Sequence, residues 1–243
     1  MEQQWADRTV GELAAADHRF AGVFHAHGID FCCGGKKSVS AACEKAGVPV
    51  EKVGQELEAV VQTSRGTGTP DVRSWRPGFL AEYIVEVHHR YVRETSPALA
   101  QFSEKVARVH GQTHPETVDV YRLTMEMLNE LSSHMAKEEG MLFPYVRSLD
   151  QSMSQGGVRP SAPFGSAKNP ILMMESEHDH VGNLLRELRS VTSGFVPPPD
   201  ACNSYRFLYG TLAEFEADLH QHIHLENNIL FPRAIELEAS LGS

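Results

Sequence analysis

The sequence predicts an all-α protein in which a small N-terminal helical domain precedes an antiparallel four-helix bundle. Apolar residues recur three and four positions apart over long stretches, which is the spacing of one face of an α-helix. Residues 63–75 are rich in Gly, Ser, Thr and Pro and are predicted to be a linker. Residues 76–243 contain two copies of one helical pattern, whereas residues 1–62 contain none. These observations together predict a domain at 1–62 and a bundle at 76–243.

Composition and charge exclude several classes of function. The chain of 243 residues has 22 basic and 32 acidic side chains, a formal net charge of -10, and no cluster of Lys and Arg. Nucleic acid is therefore not an expected partner. No apolar run approaches the roughly 18 to 20 residues that cross a bilayer, and the start, MEQQWADRTV, lacks the features of a signal peptide. We expect a cytoplasmic protein without membrane contact.

The N-terminal domain is predicted to consist of short helices around one turn. Thr9 is a suitable N-cap for a helix over VGELAAADHRFAGVFHAHG, and GIDFCCGG forms the turn that follows. SVSAACEKAG and VGQELEAVV continue the domain as helices. The spacing of the four cysteines fits neither a zinc ribbon nor a secreted disulfide framework, so reduced thiols are expected.

The bundle contains an internal repeat. HMAKEEGMLFP begins at His134 and HIHLENNILFP begins at His222, so both copies read H-x-x-x-E-x-x-x-L-F-P. Pro144 and Pro232 are expected to end the two helices. The repeat predicts two related helical hairpins.

A second, weaker pair of matched helices lies upstream of these motifs. Their histidines, His88 and His178, are 90 residues apart, close to the 88 residues between His134 and His222. Two hairpins related by duplication would form the four-helix bundle. Residues 149–169, rich in polar side chains, Gly and Pro, are expected to be a long loop between the hairpins.

In both copies of the motif the His and the Glu continue an apolar helical stripe, so they are predicted to be buried. The two stripes contain Val120, Leu123, Met127, Leu131, His134, Glu138 and Met141, and Leu208, Leu212, Phe215, Leu219, His222, Glu226 and Ile229. Glu139 and His224 lie off these stripes and are predicted to point elsewhere.

The other two helices each carry two nearby histidines. An unbroken apolar stripe favours His178 over His180. The stripe favours His88 over His89 only slightly, and the spacing between the duplicated halves selects His88.

Burial of several carboxylates and imidazoles in an apolar core requires a compensating partner, because unpartnered buried charges cost several kcal/mol each. The predicted metal ligands are His88, His134, Glu138, His178, His222 and Glu226. Such a set suits dinuclear iron or manganese, with Glu138 and Glu226 as bridging carboxylates. Octahedral iron would retain positions for an oxo bridge and for O2 or NO. Structural zinc would instead favour a closed tetrahedral site, usually with thiolates.

A single His on an apolar helix face is more often a hydrogen-bonded core residue than a ligand, and H-x-x-x-E is common as a surface pair. Two copies of the motif, each inside an apolar stripe and each followed by LFP, favour the metal hypothesis. A helical scaffold without metal is the alternative hypothesis.

The H-x-x-x-E motifs with LFP, the E-H-D of residues 177–179 and GIDFCCGG together resemble the repair-of-iron-centres family of di-iron proteins. The resemblance covers nearly the whole chain and implies a hemerythrin-like bundle with two irons on the ligands named above. It identifies Cys32 and Cys33 as the vicinal pair of that family. It also implies that Glu130 and Glu177 are acids that line a polar route to the metals.

The resemblance implies repair of iron–sulfur clusters damaged by nitric oxide or oxidants, through iron donation, reduction of NO to nitrous oxide, or both. NO or O2 would be the small ligand, damaged iron–sulfur proteins the clients, and the chain a monomer or homodimer. An O2 or NO carrier or sensor of the hemerythrin type is the rival hypothesis. Hemerythrins proper use five histidines and lack the cysteine-bearing domain, whereas four histidines are convincing here.

Adjacent cysteines can close only a strained disulfide, which is easily reduced. Cys32 and Cys33 therefore suit redox, nitrosyl or transferred-iron chemistry better than cross-linking. The alternative is that both are merely thiols of a tight turn, since Gly34 and Gly35 can form that turn by themselves.

Overall fold

The computed structural model describes residues 3–62 and 71–242, and its regular structure in these ranges is helical. The prediction of an all-α fold with a small domain before a bundle is confirmed. Most of the predicted linker, residues 63–70, lies outside the described residues. Its last part contains a short 3₁₀ turn, Val72–Ser74, which leads into the bundle.

Over residues 3–62, the N-terminal domain contains five helices: α1 (Gln3–Ala6), α2 (Val10–Ala16), α3 (His18–Ala26), α4 (Val39–Ala46) and α5 (Val50–Gln62). Thr9 caps α2 as expected, in a reciprocal capping box with Glu12. The single helix predicted after Thr9 is wrong, because the chain is extended at Asp17 (φ -153°, ψ 111°). The Asp17 carboxylate accepts a hydrogen bond from the Arg19 N–H and so starts α3 as a separate helix.

Four long helical rods form the bundle. The first is α6 (Pro77–Ile84), a π-helical segment (Val85–His89) and α7 (Arg90–His110). The second is α8 (Glu116–Lys137), a π-helical segment (Glu138–Leu142) and α9 (Phe143–Gln155). The third is α10 (Lys168–Val191), and the fourth is α11 (Asn203–Leu225), a π-helical segment (Glu226–Leu230) and α12 (Phe231–Leu241). Helix α8 packs against α7 and α10, and α11 packs against α7.

Two expectations about chain breaks in the bundle are wrong. Pro144 and Pro232 do not end their rods, because each occupies the first turn of the next α-helical segment, where a missing N–H is tolerated. The connection between the hairpins is also shorter than 149–169. Helix α9 continues to Gln155 and ends at Gly156, whose φ of 64° is the left-handed conformation that glycine adopts readily.

The apolar interior of the bundle consists of two cores. One core lies among α7, α8, α10 and α11, and the other lies among α6, α9, α12 and the start of α10. A third core fills the N-terminal domain and includes Ile223 of α11, so this domain packs on the bundle. Among the described residues, none of the helices combines the length and apolar character of a membrane span.

Candidate metal centre

Buried ionisable side chains from all four rods meet between the two apolar cores of the bundle. They form two groups, each with ligand atoms within 4.8 Å of one another. The first contains His89, Glu138, His222 and Glu226, and the second contains His134, Glu138, His178 and Glu226. Glu138 and Glu226 belong to both groups and are completely buried. Two metal ions could therefore share both carboxylates, as expected for bridging glutamates.

Three of the four rods contain a π-helical segment where they pass the two groups. Val85–His89, Glu138–Leu142 and Glu226–Leu230 each contain at least one residue of the two groups. A π-helical turn bonds residue i to i+5 and contains an extra residue, and it recurs at functional sites. The extra residue changes which side chain faces the centre.

The sequence-based preference for His88 is corrected by the structure, which places His89 in the centre instead. The 3.6-residue period predicts that the residue four positions after Ile84 shares its face, whereas the π-helical turn puts His89 there. His89 Nε2 lies 3.3 Å from Glu138 Oε2 and 3.9 Å from Glu226 Oε1. His88 is also buried, but its Nδ1 is 2.9 Å from Asp218 Oδ1 and its ring stacks on His222.

The same change in helical phase overturns two smaller expectations. Leu142 is buried, whereas Met141, which α-helical spacing placed on the stripe, is only half-buried. Glu139 does not point away, because its Oε1 lies 2.6 Å from His89 Nδ1. Arg93 also donates to Glu139. Glu139 thus orients the ring that sequence reasoning missed, and a π-helical turn leaves no clear signal in the sequence.

Hydrogen bonds donated by Nδ1–H orient the rings of the second group. His134 Nδ1 lies 2.9 Å from Glu177 Oε2, and His178 Nδ1 lies 2.9 Å from Asn227 Oδ1. Both acceptors require a proton on Nδ1, so in the neutral rings both Nε2 atoms carry lone pairs. These two Nε2 atoms are only 2.9 Å apart. Two lone pairs at this distance repel unless a proton or a metal ion lies between them.

Several buried polar atoms of the centre have no hydrogen-bond partner among the described residues, although unsatisfied buried groups are rare in native proteins. They include both carboxylate oxygens of Glu138, Oε2 of Glu226 and Nε2 of His89. His89 Nε2 is within ion-pair distance of Glu138 but lacks hydrogen-bond geometry. Nitrogen and carboxylate ligands of this kind fit a pair of iron or manganese ions.

Without metal, the charged side chains of the two groups form a buried network of ion pairs. Burial favours the neutral form of His89, but Glu138 and Glu226 outweigh it and raise its pKa to about 10. Burial is likewise outweighed at His134, chiefly by Glu138, and its pKa rises to about 9. Burial would raise the pKa of Glu226, yet attraction to His222 and hydrogen bonding to His178 hold that pKa well below its usual value. Metal ions would replace these protons as counter-charges.

The two acids expected beside the ligands differ in placement. Glu177 is half-buried, accepts the His134 Nδ1–H and also pairs with Lys137. It is therefore joined to the centre through His134, and its predicted role along a polar route stays a prediction. Glu130 is exposed on α8, one turn before His134, and its predicted role along a polar route stays a prediction.

The vicinal cysteines lie directly against the bundle near the centre. Cys32 is buried and Cys33 is half-buried, and their sulfur atoms are 3.8 Å apart as free thiols. Cys33 Sγ is 3.4 Å from the His178 carbonyl oxygen. A hydrogen bond with Cys33 and burial raise the pKa of the Cys32 thiol well above its ordinary value, so Cys32 is protonated at neutral pH. Asp30 completes a small group of ligand-type side chains with the two thiols.

A four-helix bundle with two His–Glu motifs around shared glutamates defines a hemerythrin-like metal-binding protein, and the Hemerythrin HHE cation binding domain matches residues 81–234. The ScdA_N domain of unknown function matches residues 6–61. The chain belongs to the family of YtfE-type iron–sulfur cluster repair proteins.

Its curated relatives carry the name "Iron-sulfur cluster repair protein YtfE". The protein from Pectobacterium carotovorum is 38% identical over 237 residues, covering 96% of this chain and 99% of the relative. The protein from Escherichia coli O8 is also 38% identical, covering 95% of this chain and 98% of the relative. The protein from Musicola paradisiaca is 37% identical, covering 97% and 99% respectively.

Proposed function

We propose that this protein repairs damaged iron–sulfur clusters with a di-iron centre in its bundle. Imidazole ligands come from all four rods: His89, His134, His178 and His222. Glu138 and Glu226 would be the carboxylates shared by the two irons, which an oxo group would also join. The observation that carries the proposal is the pair of His–Glu groups that share both buried glutamates. The repair activity itself is taken from the relatives, whose alignment with this chain is nearly complete.

When bound, the irons supply redox chemistry and open coordination positions for a small ligand, which we propose is NO. The chain's own residues hold and orient the ligands. Glu139 fixes the ring of His89, and Glu177 fixes the ring of His134. Hydrogen bonds to carboxylates make an imidazole a stronger donor to metal. The apolar cores on both sides restrict water around the centre.

Metal content is the first test. Protein purified without oxygen should contain two irons per chain by mass spectrometry. Loss of iron in Glu138→Ala, with retention of the helical circular dichroism spectrum, would show that the shared carboxylate holds the metals. Absence of iron from the wild-type protein, or a single zinc, would reject the proposed centre.

Repair is tested with a dehydratase whose [4Fe–4S] cluster has been damaged by NO. Iron-loaded wild-type protein should restore dehydratase activity, whereas Glu138→Ala should not. Nitrous oxide measured by gas chromatography after addition of NO to the reduced protein distinguishes NO removal from iron donation. If iron-loaded protein neither restores the dehydratase nor forms nitrous oxide, the proposed function is wrong.

A further inference from the structure

The cysteine turn, residues 30–34, is closed by hydrogen bonds within the segment. Asp30 Oδ1 accepts hydrogen bonds from the backbone N–H groups of Cys33, at 2.9 Å, and Gly34, at 3.0 Å. A Cβ atom on Gly34 would lie 2.7 Å from the Asp30 carbonyl oxygen, so the turn can close this tightly only with glycine.

Two neighbouring asparagines of the fourth rod hold this turn on the bundle. Asn227 Nδ2 donates to the Cys32 carbonyl at 3.3 Å, and Asn228 Nδ2 donates to the Phe31 carbonyl at 3.1 Å. Their second contacts differ. Asn227 Oδ1 accepts the Nδ1–H of His178, whereas Asn228 contacts His224, which belongs to neither group of the metal centre. The donor bond to Cys32 fixes which end of the Asn227 amide faces His178.

The Cys33 side chain connects the turn to α10, the helix that carries His178. Its sulfur lies against the His178 carbonyl, and a Cβ atom on Gly182, one turn later, would lie only 3.2 Å from this sulfur. The absence of a side chain at Gly182 lets the thiol rest on the helix surface. The cysteine turn thus contacts the helix of His178 through a thiol and the ring of His178 through an amide.

We propose that Asn227 is a positioning residue that couples the cysteine turn to the metal centre through His178, with the Cys33 thiol seated at Gly182 as the second contact. This inference rests on the proposed metal centre. His178 is distinctive because a neutral amide orients its ring, whereas carboxylates orient His89 and His134. The position of that amide depends in turn on the Cys32 carbonyl.

Coupling of this kind is reciprocal, because it is a free energy shared between two sites. Metal bound at His178 should hold Asn227 in place and thereby hold the turn on the bundle. Displacement of the turn should release Asn227 and weaken metal binding. Both directions can be measured without an activity assay.

The first experiment compares metal affinity in Asn227→Ala and Asn228→Ala, by anaerobic competition of ferrous iron against a chromogenic chelator. Each variant loses one hydrogen bond to the cysteine turn, but only Asn227→Ala also loses a contact to a ring of the centre. We expect Asn227→Ala to lower affinity roughly 10- to 100-fold, as for other partners of metal-bound histidines. Asn228→Ala should lower the affinity much less, because the Asn227 contact to His178 is retained. Equal effects of the two substitutions would overturn the proposal.

The second experiment measures carbamidomethylation of Cys33 by iodoacetamide, followed by peptide mass spectrometry. Ferrous iron should slow this reaction in the wild type and in Asn228→Ala, but not in Asn227→Ala. The exposed Cys202 serves as an internal reference for reagent concentration. A wild-type rate at Cys33 that does not respond to iron would overturn the proposal.

Gly182→Ala removes no hydrogen-bonding group and favours the helix intrinsically. Its new methyl group should displace the Cys33 thiol, accelerate alkylation and lower iron affinity. Unchanged alkylation and affinity would contradict the role of this contact. Wild-type protein that binds no iron would reject the proposed centre itself, whereas iron binding with equal Asn227 and Asn228 effects rejects only the coupling.

Discussion

His89 and His88 provide a matched pair of substitutions, because they are adjacent, buried and of one chemical type. His89→Ala removes a nitrogen that faces both shared glutamates, at 3.3 and 3.9 Å. His88→Ala removes a hydrogen bond to Asp218 and a ring stacked on His222. We predict that His89→Ala loses one of the two metals and that His88→Ala keeps both.

The magnitude follows from linkage between metal binding and folding. One metal ion at about a thousand times its Kd stabilises the native state by about 4 kcal/mol, so two such ions stabilise it by about 8 kcal/mol. For a protein of this size, 1 kcal/mol corresponds to roughly 2 to 4 °C in Tm, so the two metals should raise Tm by roughly 16 to 32 °C. In His89→Ala the increase should fall by about half, because one of the two groups loses one of its two imidazoles.

The assay is the difference in Tm between the iron-loaded and chelated forms of each protein, by circular dichroism, with metal content measured in parallel. The difference removes the effect of the substitution on the fold alone. His88→Ala should lower the Tm of both forms while preserving the difference between them. Loss of metal in His88→Ala, with full retention in His89→Ala, would refute the assignment of His89 rather than His88 to the metal centre.

Three further predictions concern charge. The pKa values of His89 and His134 are about 10 and about 9 without metal, so metal binding must release their protons. Iron affinity should therefore rise between pH 7 and 9. An affinity that does not change with pH would contradict this. The raised pKa values also mean that protonation of His89 and His134 stabilises the chelated fold. This stabilisation is complete below pH 6.5 and is lost as pH rises through 9 to 10. Chelated protein should therefore unfold at a lower urea concentration at pH 10 than at pH 6.5. Arg189→Met leaves the buried Glu216 without its partner and should lower the free energy of unfolding, measured in urea, by about 2 kcal/mol. This loss is smaller than that for breaking a fully buried ion pair, because Arg189 is partly exposed. An unchanged free energy of unfolding would contradict this.

The helical period predicted the parts of the centre that lie on α-helical turns. His134 and Glu138 are one α-helical turn apart, as are His222 and Glu226, and all four are buried as their stripes required. His178 lies on α10, which is α-helical throughout, and the structure brings it into the centre as predicted. The sequence therefore contained enough information for five of the six residues in the two groups.

The remaining features of the site could not be predicted from the helical period. His89 enters the centre through a π-helical turn, which adds a residue without altering the apolar composition around it. Asn227 and Gly182 derive their significance from contacts with the cysteine turn, about 150 to 195 residues away along the chain. Such contacts follow from how the N-terminal domain packs on the bundle, and no local pattern predicts that packing.

The polar layer between the two apolar cores has a consequence for how the bundle opens. Cooperative unfolding units usually coincide with continuous apolar packing, and here the packing is interrupted at the level of Glu138 and Glu226. Metal ions at this level would join the two cores into one unit. In hydrogen-exchange experiments the iron-loaded bundle should therefore open as a whole, whereas the chelated bundle should show separate protection for the core around Leu123 and the core around Leu149. The metals would thus determine the size of the cooperative folding unit as well as the chemistry of the centre.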